Sequence, residues 1–588
     1  MLAFLTCVEV ADMSKLIVDQ RTINDLLSDR KADFLIPDYQ RPYAWGDDEC
    51  GTLWEDLKAF AFPNNSSTEF DSENDEYFLG PIVTFKNPDN KQEVIDGQQR
   101  LTTVMLLLRA FYDRFATAKD DVTVETRKLI AKCIWKTDEL GRPIYDRLKI
   151  ESEVASDEDK GEFLAILKEG KIDKGMTSRY AKAFEFFSEK IAQFVDDMAM
   201  YTALFPMRIL NNVIFLPIET ESQDAALRIF STLNDRGLPL SDADIFKSQF
   251  YKYYAGMGRK DEFIDDWKAL EDGANKLFHP RRGTPMDELF TRYMYYRRAE
   301  LGITDTTTKS LREFFGEDGY AMLKDERALE DLKDLLGFWQ KVAARDEAFS
   351  AETQRELFVL SCAPNGMWTF VASVWFLANR DAEGGFDDAE LCRLLRKLVG
   401  FVFAYAIDRP GVNALRGPMY PEMANIVNHR PVEFASYRFD RDAISANLRA
   451  YRFTNQRPVT KSMLTWWAFS DPEQELLAPG TVLQIEHIFA RKRNEVEPLG
   501  NAGSLEALGN KALLEQRINI RAADYRFCDK CKYYLGSTKS AKGGTRIAEL
   551  RRMANAEKDD FTEADIEART AQIIDAFVDY LGDNGLLR

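Results

Sequence analysis

The stretch VIDGQQRLTTV, residues 94–104, switches from one periodicity to another within a few residues. Val94 and Ile95 close an apolar run, Asp96 and Gly97 form a turn-prone pair, and beyond Arg100 the apolar positions are Leu101, Val104, Met105, Leu108, Phe111 and Phe115. That three-and-four spacing predicts a helix with one buried face, so DGQQR becomes its N-terminal lip. Upstream, EYFLGPIVTFK (76–86), the turn-prone NPDN and KQEVIDG read as two apolar strands joined in a hairpin. NNVIFLPIE (211–219) reads as a further strand, and Ser241 with Asp244 forms a helix-start box ahead of Ile245, Phe246 and Phe250. A first helix after NNVIFLPIE stops near Asn234 to Gly237. Strands that feed helices in this way make the N-terminal part α+β.

The 588 residues exceed what one core supports and predict roughly two to four domains. With 45% hydrophobic and 30% charged residues there is ample material for packed cores. No apolar run approaches the roughly 20 residues that span a bilayer, and MLAFLTCVEVADM lacks the basic start of a secretory signal, so a cytoplasmic protein without a membrane partner is expected. Met13 offers a more ordinary start, which makes residues 1–12 a candidate non-native extension. The remaining chain divides into an α+β domain over 13–255, a helical middle domain over 256–445 and a C-terminal domain over 446–588. In the last, TVLQIEHIFA (481–490) reads as a strand and Thr562 caps a closing helix. Seven scattered cysteines fit a reducing compartment, and only Cys528 and Cys531 have metal-ligand spacing, with no second pair or histidine after them.

A net charge of −19 argues against a protein that coats nucleic acid through bulk electrostatics. From Lys511 to Arg552, however, eleven Lys and Arg stand against four acids. Lys511, Arg521, Lys530 and Lys532 in this island, with Arg491 upstream of it, are the candidate phosphate contacts, and a solvated helical face is the alternative.

Only three histidines occur. His279 and His429 lie in loop-like settings without acid or amide partners, whereas His487 follows Glu486 on an apolar strand, with Asn510 and Asn519 downstream. Phosphodiester hydrolysis requires a base for the attacking water and a cation that neutralises charge on the phosphoryl oxygens. Histidine suits the first task, and carboxylate and amide oxygens suit Mg²⁺ or Mn²⁺ for the second. Neighbours on a strand point to opposite sides, so a twist or the strand end has to bring Glu486 and His487 to one centre. The string I-E-H-I, then L-G-N, a second Asn nine residues on and F-x-x-K-x-x-x-Y (Phe527, Lys530, Tyr534) resembles the HNH nuclease module with its ββα-metal fold. The resemblance implies Glu486 and Asn519 as metal ligands, His487 as general base and Asn510 as the brace of the loop. Ala490 departs from it, because family members usually carry proline two or three residues after the histidine.

The flanks of DGQQR carry a second resemblance. I-P-x-Y-Q-R-x-Y-x-W (Ile36 to Trp45), Y-F-L-G-x-I (Tyr77 to Ile82), D-G-Q-Q-R-L-T-T and N-D-R-G-x-P-L (Asn234 to Leu240) resemble the ParB/sulfiredoxin-like domain of GmrSD-type, modification-dependent (type IV) restriction enzymes. It implies an N-terminal domain that binds and hydrolyses NTP (GTP, ATP or UTP) and a C-terminal domain that cuts DNA, often modified phage DNA. Asp96, Gly97, Gln98, Gln99 and Arg100, with Tyr39, Gln40 and Arg41, are the candidate nucleotide site. Glycine at a helix lip lets backbone amides approach phosphate, arginine grips it in a fork, the glutamines orient a water or donate to phosphoryl oxygens, and Asp96 holds a cation or attacking water. Taken without its flanks, Asp-Gly is equally an ordinary turn. No GxxxxGK[ST] loop exists, which excludes a P-loop engine. The expected function is a nucleotide-regulated, metal-dependent DNA endonuclease of antiphage defence, with a homodimer as a candidate assembly. The alternatives are a nucleotide-binding DNA sensor or adaptor with an inactive HNH module, and an RNA-directed toxin nuclease.

Overall fold

The computed structural model describes residues 17–154, 159–172, 175–222, 225–226, 241–411, 413–538, 543–556 and 558–588. The NDRGLPL block, the end of the helix before it and residues 1–12 lie outside these. Among the described residues, contacts divide the chain once, into compact units Met1–Lys268 and Ala269–Arg588.

In the first unit the stretch at 94–104 forms the junction its pattern predicts. Gln92–Asp96 is a strand and Gln98–Arg114 a helix. Between them Gly97 adopts φ +90°, a conformation that side chains with a Cβ rarely take. The Tyr77–Lys86 strand folds back on Gln92–Asp96 in antiparallel pairing, and the turn is closed by Lys91 N–H on the Asn87 side chain at 2.9 Å. This hairpin sits inside a seven-stranded mixed sheet. Val213–Thr220 pairs in parallel with Tyr77–Lys86, and Phe34–Ile36 pairs in parallel with Gln92–Asp96 and with Ile150–Ser152. Ile17–Val18 and Arg21–Thr22 lie antiparallel on Val213–Thr220.

Strand alternation sorts the side chains into two layers. Ile82 and Val94 face the main core, with the Gln98–Arg114 helix, while Val83 and Ile95 join a smaller cluster with Tyr39 and Ile218. The helix is buried on more than one face, since Leu101 to Leu108 are all inaccessible or nearly so, as befits a central element. Helices Asp121–Ile134 and Arg179–Asp197 cover it; its own Phe111 stacks on Trp54 and meets Phe205 edge to face, and Trp54, Phe62, Phe194 and Phe205 continue the aromatic cluster through further edge contacts. The Ser241–Asp244 box caps the Asp242–Gly256 helix.

The second unit begins as a stack of helices that runs to Pro458–Phe469. An antiparallel pair follows, Leu483–His487 with Lys511–Glu515, and then helices Gln516–Ala522, Phe527–Tyr534, Ala548–Asn555 and Glu563–Asp583. The last helix, capped by Thr562 and Asp565, packs on helices Asp388–Asp408 and Arg441–Ala450 and on the Leu508–Asn510 turn. The hairpin and the helical stack therefore belong to one compact unit, and no division falls at 445 among the described residues. The whole is α+β and multidomain, as expected. No helix among the described residues is long and apolar enough to cross a membrane.

Candidate active site

The sheet register decides what surrounds His487. It is the last residue of its strand and stands directly opposite Lys511, while Glu486 stands opposite Ala512. His487 and Lys511 therefore share one face of the hairpin, and Glu486 shares the other with Gln484.

On the Glu486 face the Phe527–Tyr534 helix supplies the contacts. Lys530 Nζ donates to Glu486 Oε1 at 2.7 Å and to the His487 carbonyl at 2.5 Å, and Tyr534 Oη donates to the same Oε1 at 2.8 Å. All three side chains are buried. Burial pushes the Glu486 carboxyl above its ordinary range, opposed by Lys530 and Tyr534. Asn519, on the Gln516–Ala522 helix, donates through Nδ2 to Gln484 Oε1 at 2.9 Å, which leaves its Oδ1 as an acceptor.

On the other face His487 Nε2 is fully buried, has no hydrogen-bond partner and lies 3.7 Å from Glu506 Oε1. Glu506 accepts from Lys511 Nζ at 2.6 Å and from Arg491 Nη2 at 3.1 Å. Burial above all, then the Lys511 and Arg491 cations, push His487 down to about 4 against the pull of Glu506, so the ring is neutral at pH 7. Asn510 is wholly buried: its Oδ1 accepts from Phe489 N–H at 2.7 Å, and its Nδ2 donates to the Phe489 and Leu505 carbonyls at 3.1 and 3.0 Å. These bonds fix the chain just beyond His487. Arg569, from the closing helix, donates to the Leu508, Gly509 and Lys511 carbonyls and so clamps the LGN turn.

The expectation that Lys511 and Lys530 contact nucleic-acid phosphate does not hold. They are 0% and 1% exposed and spend their charges on Glu506 and Glu486. Arg491, Arg521 and Lys532 are exposed, Arg491 next to Glu506 and Lys532 paired with Asp529. Glu506, which the motif reading passes over, is the acidic neighbour of the histidine; its place four residues before Asn510 gives no signal in sequence, because the bend that turns it inward is not periodic. Cys528 is exposed and Cys531 buried, its thiol pushed up to about 11 by burial, and no group of three His, Cys, Asp or Glu side chains that could hold a metal ion occurs among the described residues.

In the first unit the DGQQR residues and the Tyr39–Trp45 segment are bonded to one another. Gln98 Nε2 donates to the Arg41 carbonyl at 3.3 Å and Gln99 Nε2 to the Pro42 carbonyl at 3.2 Å, while Ala44 N–H donates to Gln99 Oε1 at 2.7 Å. In return Gln40 Nε2 donates to the Ile95 carbonyl at 3.2 Å. Both glutamines of the lip are thus buried and occupied by backbone rather than standing open to solvent. Tyr39 Oη donates to Glu93 at 3.3 Å on the far side of the sheet. Arg100 donates to the Pro81 carbonyl at 2.9 Å and pairs with Asp96 at 3.2 Å. Gly80 adopts φ +129°, a conformation that residues with a Cβ rarely take, which explains why a glycine precedes Pro81 in this hairpin and leaves the space that the Arg100 guanidinium fills. Asp96 is raised by burial, with Arg100 and then Arg41 opposing.

These two constellations, one on each unit, are accompanied by matches that define the class: the chain is a restriction endonuclease. The model of the GmrSD restriction endonuclease N-terminal domain matches residues 23–251, and that of the GmrSD C-terminal domain matches 435–576. Together they span well over half of the sequence, and the chain belongs to the GmrSD family. A search of curated proteins returned no match.

Proposed function

We propose that this restriction enzyme is a nucleotide-regulated, divalent-metal-dependent DNA endonuclease of antiphage defence that acts on modified DNA, with its cutting site at His487. The observation that carries this reading is the neutral His487 at the end of a strand whose following backbone is locked by Asn510. A neutral imidazole accepts a proton from water near pH 7, and a locked strand end keeps it aimed. On the opposite face Glu486 and the Oδ1 of Asn519 would be the donors to a hard cation, but Glu486 Oε1 already accepts from Lys530 and Tyr534 and lies across the strand from His487, so these two residues by themselves do not complete a cation site beside the base. Mg²⁺ or Mn²⁺, when bound, would supply neutralisation of charge on the phosphoryl oxygens. Arg491 and Arg521 then meet the DNA backbone from the exposed rim.

The N-terminal unit serves as the ParB/sulfiredoxin-like regulator. Gly97 opens the helix lip to an NTP phosphate, with Asp96, Arg100 and Arg41 around it, and the buried glutamines tie the Tyr39–Trp45 segment to that lip. Binding at the lip is thereby read by both sequence blocks. A second reading, a DNA sensor with an inactive nuclease module, is favoured by one contact, the Lys530 ammonium on Glu486. Cleavage of duplexes carrying glucosylated hydroxymethylcytosine, phosphorothioate or no modification, with and without each NTP, separates the readings. The proposal expects cutting that depends on modification and NTP, with the NTP response lost in Asp96→Ala. A response unchanged in Asp96→Ala removes the nucleotide assignment, and no cutting of any duplex with either metal favours the sensor.

A further inference from the structure

One polar group on the His487 face lacks the partner that burial demands. Nε2 of His487 is sealed from solvent with no hydrogen bond, although an unpaired buried polar atom costs about 1–3 kcal/mol. Glu506 Oε1 is 3.7 Å away, and a shift of under about 1 Å brings the pair to hydrogen-bond length, a tightening common in catalytic sites once substrate binds. Glu506 cannot wander from this place. Lys511, 0% exposed, holds Oε2 at 2.6 Å and is itself anchored by Asn455 Oδ1 at 2.7 Å and the Phe453 carbonyl, while Arg491 holds Oε1 at 3.1 Å. The strand register puts His487 and Lys511 on one face, so the carboxylate is presented to the ring by the partner strand's own side chain.

We propose that Glu506 is the positioning residue for His487: its carboxylate receives the proton on Nε2 of the neutral ring, which leaves the lone pair on Nδ1 to act on the attacking water. The inference rests on His487 as the base and adds to it the tautomer and the residue that sets it. A carboxylate is an acceptor only, so it selects the ring form with hydrogen on the facing nitrogen. Loss of the carboxylate lets the proton move to Nδ1, where the ring no longer accepts from water. Two cations on Glu506 keep it ionised, and burial outweighed by Lys511 holds its carboxyl below the ordinary range.

Three histidines make the test direct. In the full-length protein labelled with ¹⁵N-histidine, the ring resonances of His487, assigned by their absence in His487→Gln, report which nitrogen carries the proton. The wild type is expected to show the Nε2–H form, and Glu506→Gln to lose that preference, with kcat on cleavable DNA down about tenfold or more and KM little changed. Glu506→Asp is expected to retain the tautomer and part of the rate. An Nδ1–H form in the wild type, or an unaltered tautomer in Glu506→Gln, overturns the inference. If Glu506→Gln does not fold, the wild-type spectrum and Glu506→Asp decide alone. The base reading fails separately, through cleavage that survives His487→Ala, whatever the tautomer.

Discussion

Lys511, Arg521, Lys530 and Lys532 stand in one basic stretch, and composition does not tell them apart. Burial does. Lys530 neutralises a carboxylate that burial alone would protonate, so Lys530→Met strands Glu486 and should cost about 3–5 kcal/mol. Lys532→Met, on the surface, should stay within about 0.5 kcal/mol. Urea midpoints of the two variants test this, and equal losses would contradict the buried pair. The spacing of Lys530 and Tyr534 was visible as part of a motif; that both serve Glu486 was not, because an ion pair 44 residues apart in sequence leaves no local periodicity. The glutamines of DGQQR are a parallel case: amides that suit phosphate suit a neighbouring carbonyl equally well, and only the fold shows which they meet. His487 gives a pH dependence. Its folded value of about 4 lies below the unfolded 6.5, so between these limits the unfolded chain binds more protons and stability falls as the pH is lowered. The loss reaches about 3 kcal/mol. Stability curves of wild type and His487→Gln from pH 4 to 7 should converge toward acid; parallel curves would contradict a buried neutral ring.

At the scale of elements, the sequence patterns served best where one local force acts. The 76–96 hairpin, the helix after Arg100 and the Ser241 and Thr562 caps follow from alternation, helical spacing and side-chain capping, and all are present. TVLQIEHIFA reads as a strand that runs into a loop at Phe489 to Arg493; the strand ends at His487, and Phe489 is held by Asn510, a tertiary contact that no local pattern encodes. The closing helix matters to the site through Arg569 and through Gly509, where a Cβ would lie 1.9 Å from the Ile566 carbonyl. Thr562→Ala should therefore cost about 1 kcal/mol and raise amide exchange at Leu508–Asn510. Unchanged exchange there would show that the turn does not depend on that helix. Ala490 has φ −66°, a value proline shares, so Ala490→Pro should leave the melting temperature unchanged or raise it. A large drop would mean that the alanine is required.

For the whole molecule, the charge of −19 remains the main constraint on DNA binding. With Lys511 and Lys530 inside, the rim offers Arg491, Arg521 and Lys532. About three phosphate contacts predict a shallow salt dependence, with log K falling by roughly 3 per decade of salt and by about one less in Arg521→Ala. A much steeper slope would place the main contact surface elsewhere. The two units carry one constellation each, joined in a family of restriction enzymes, and His487 is the point on which the account turns. Its most direct test is cleavage of modified duplex DNA with Mg²⁺ or Mn²⁺ by the wild type and by His487→Ala, with folding of the variant verified. Cutting by the wild type and a loss of about 10²-fold or more in the variant are expected; cutting by His487→Ala at the wild-type rate would contradict His487 as the base.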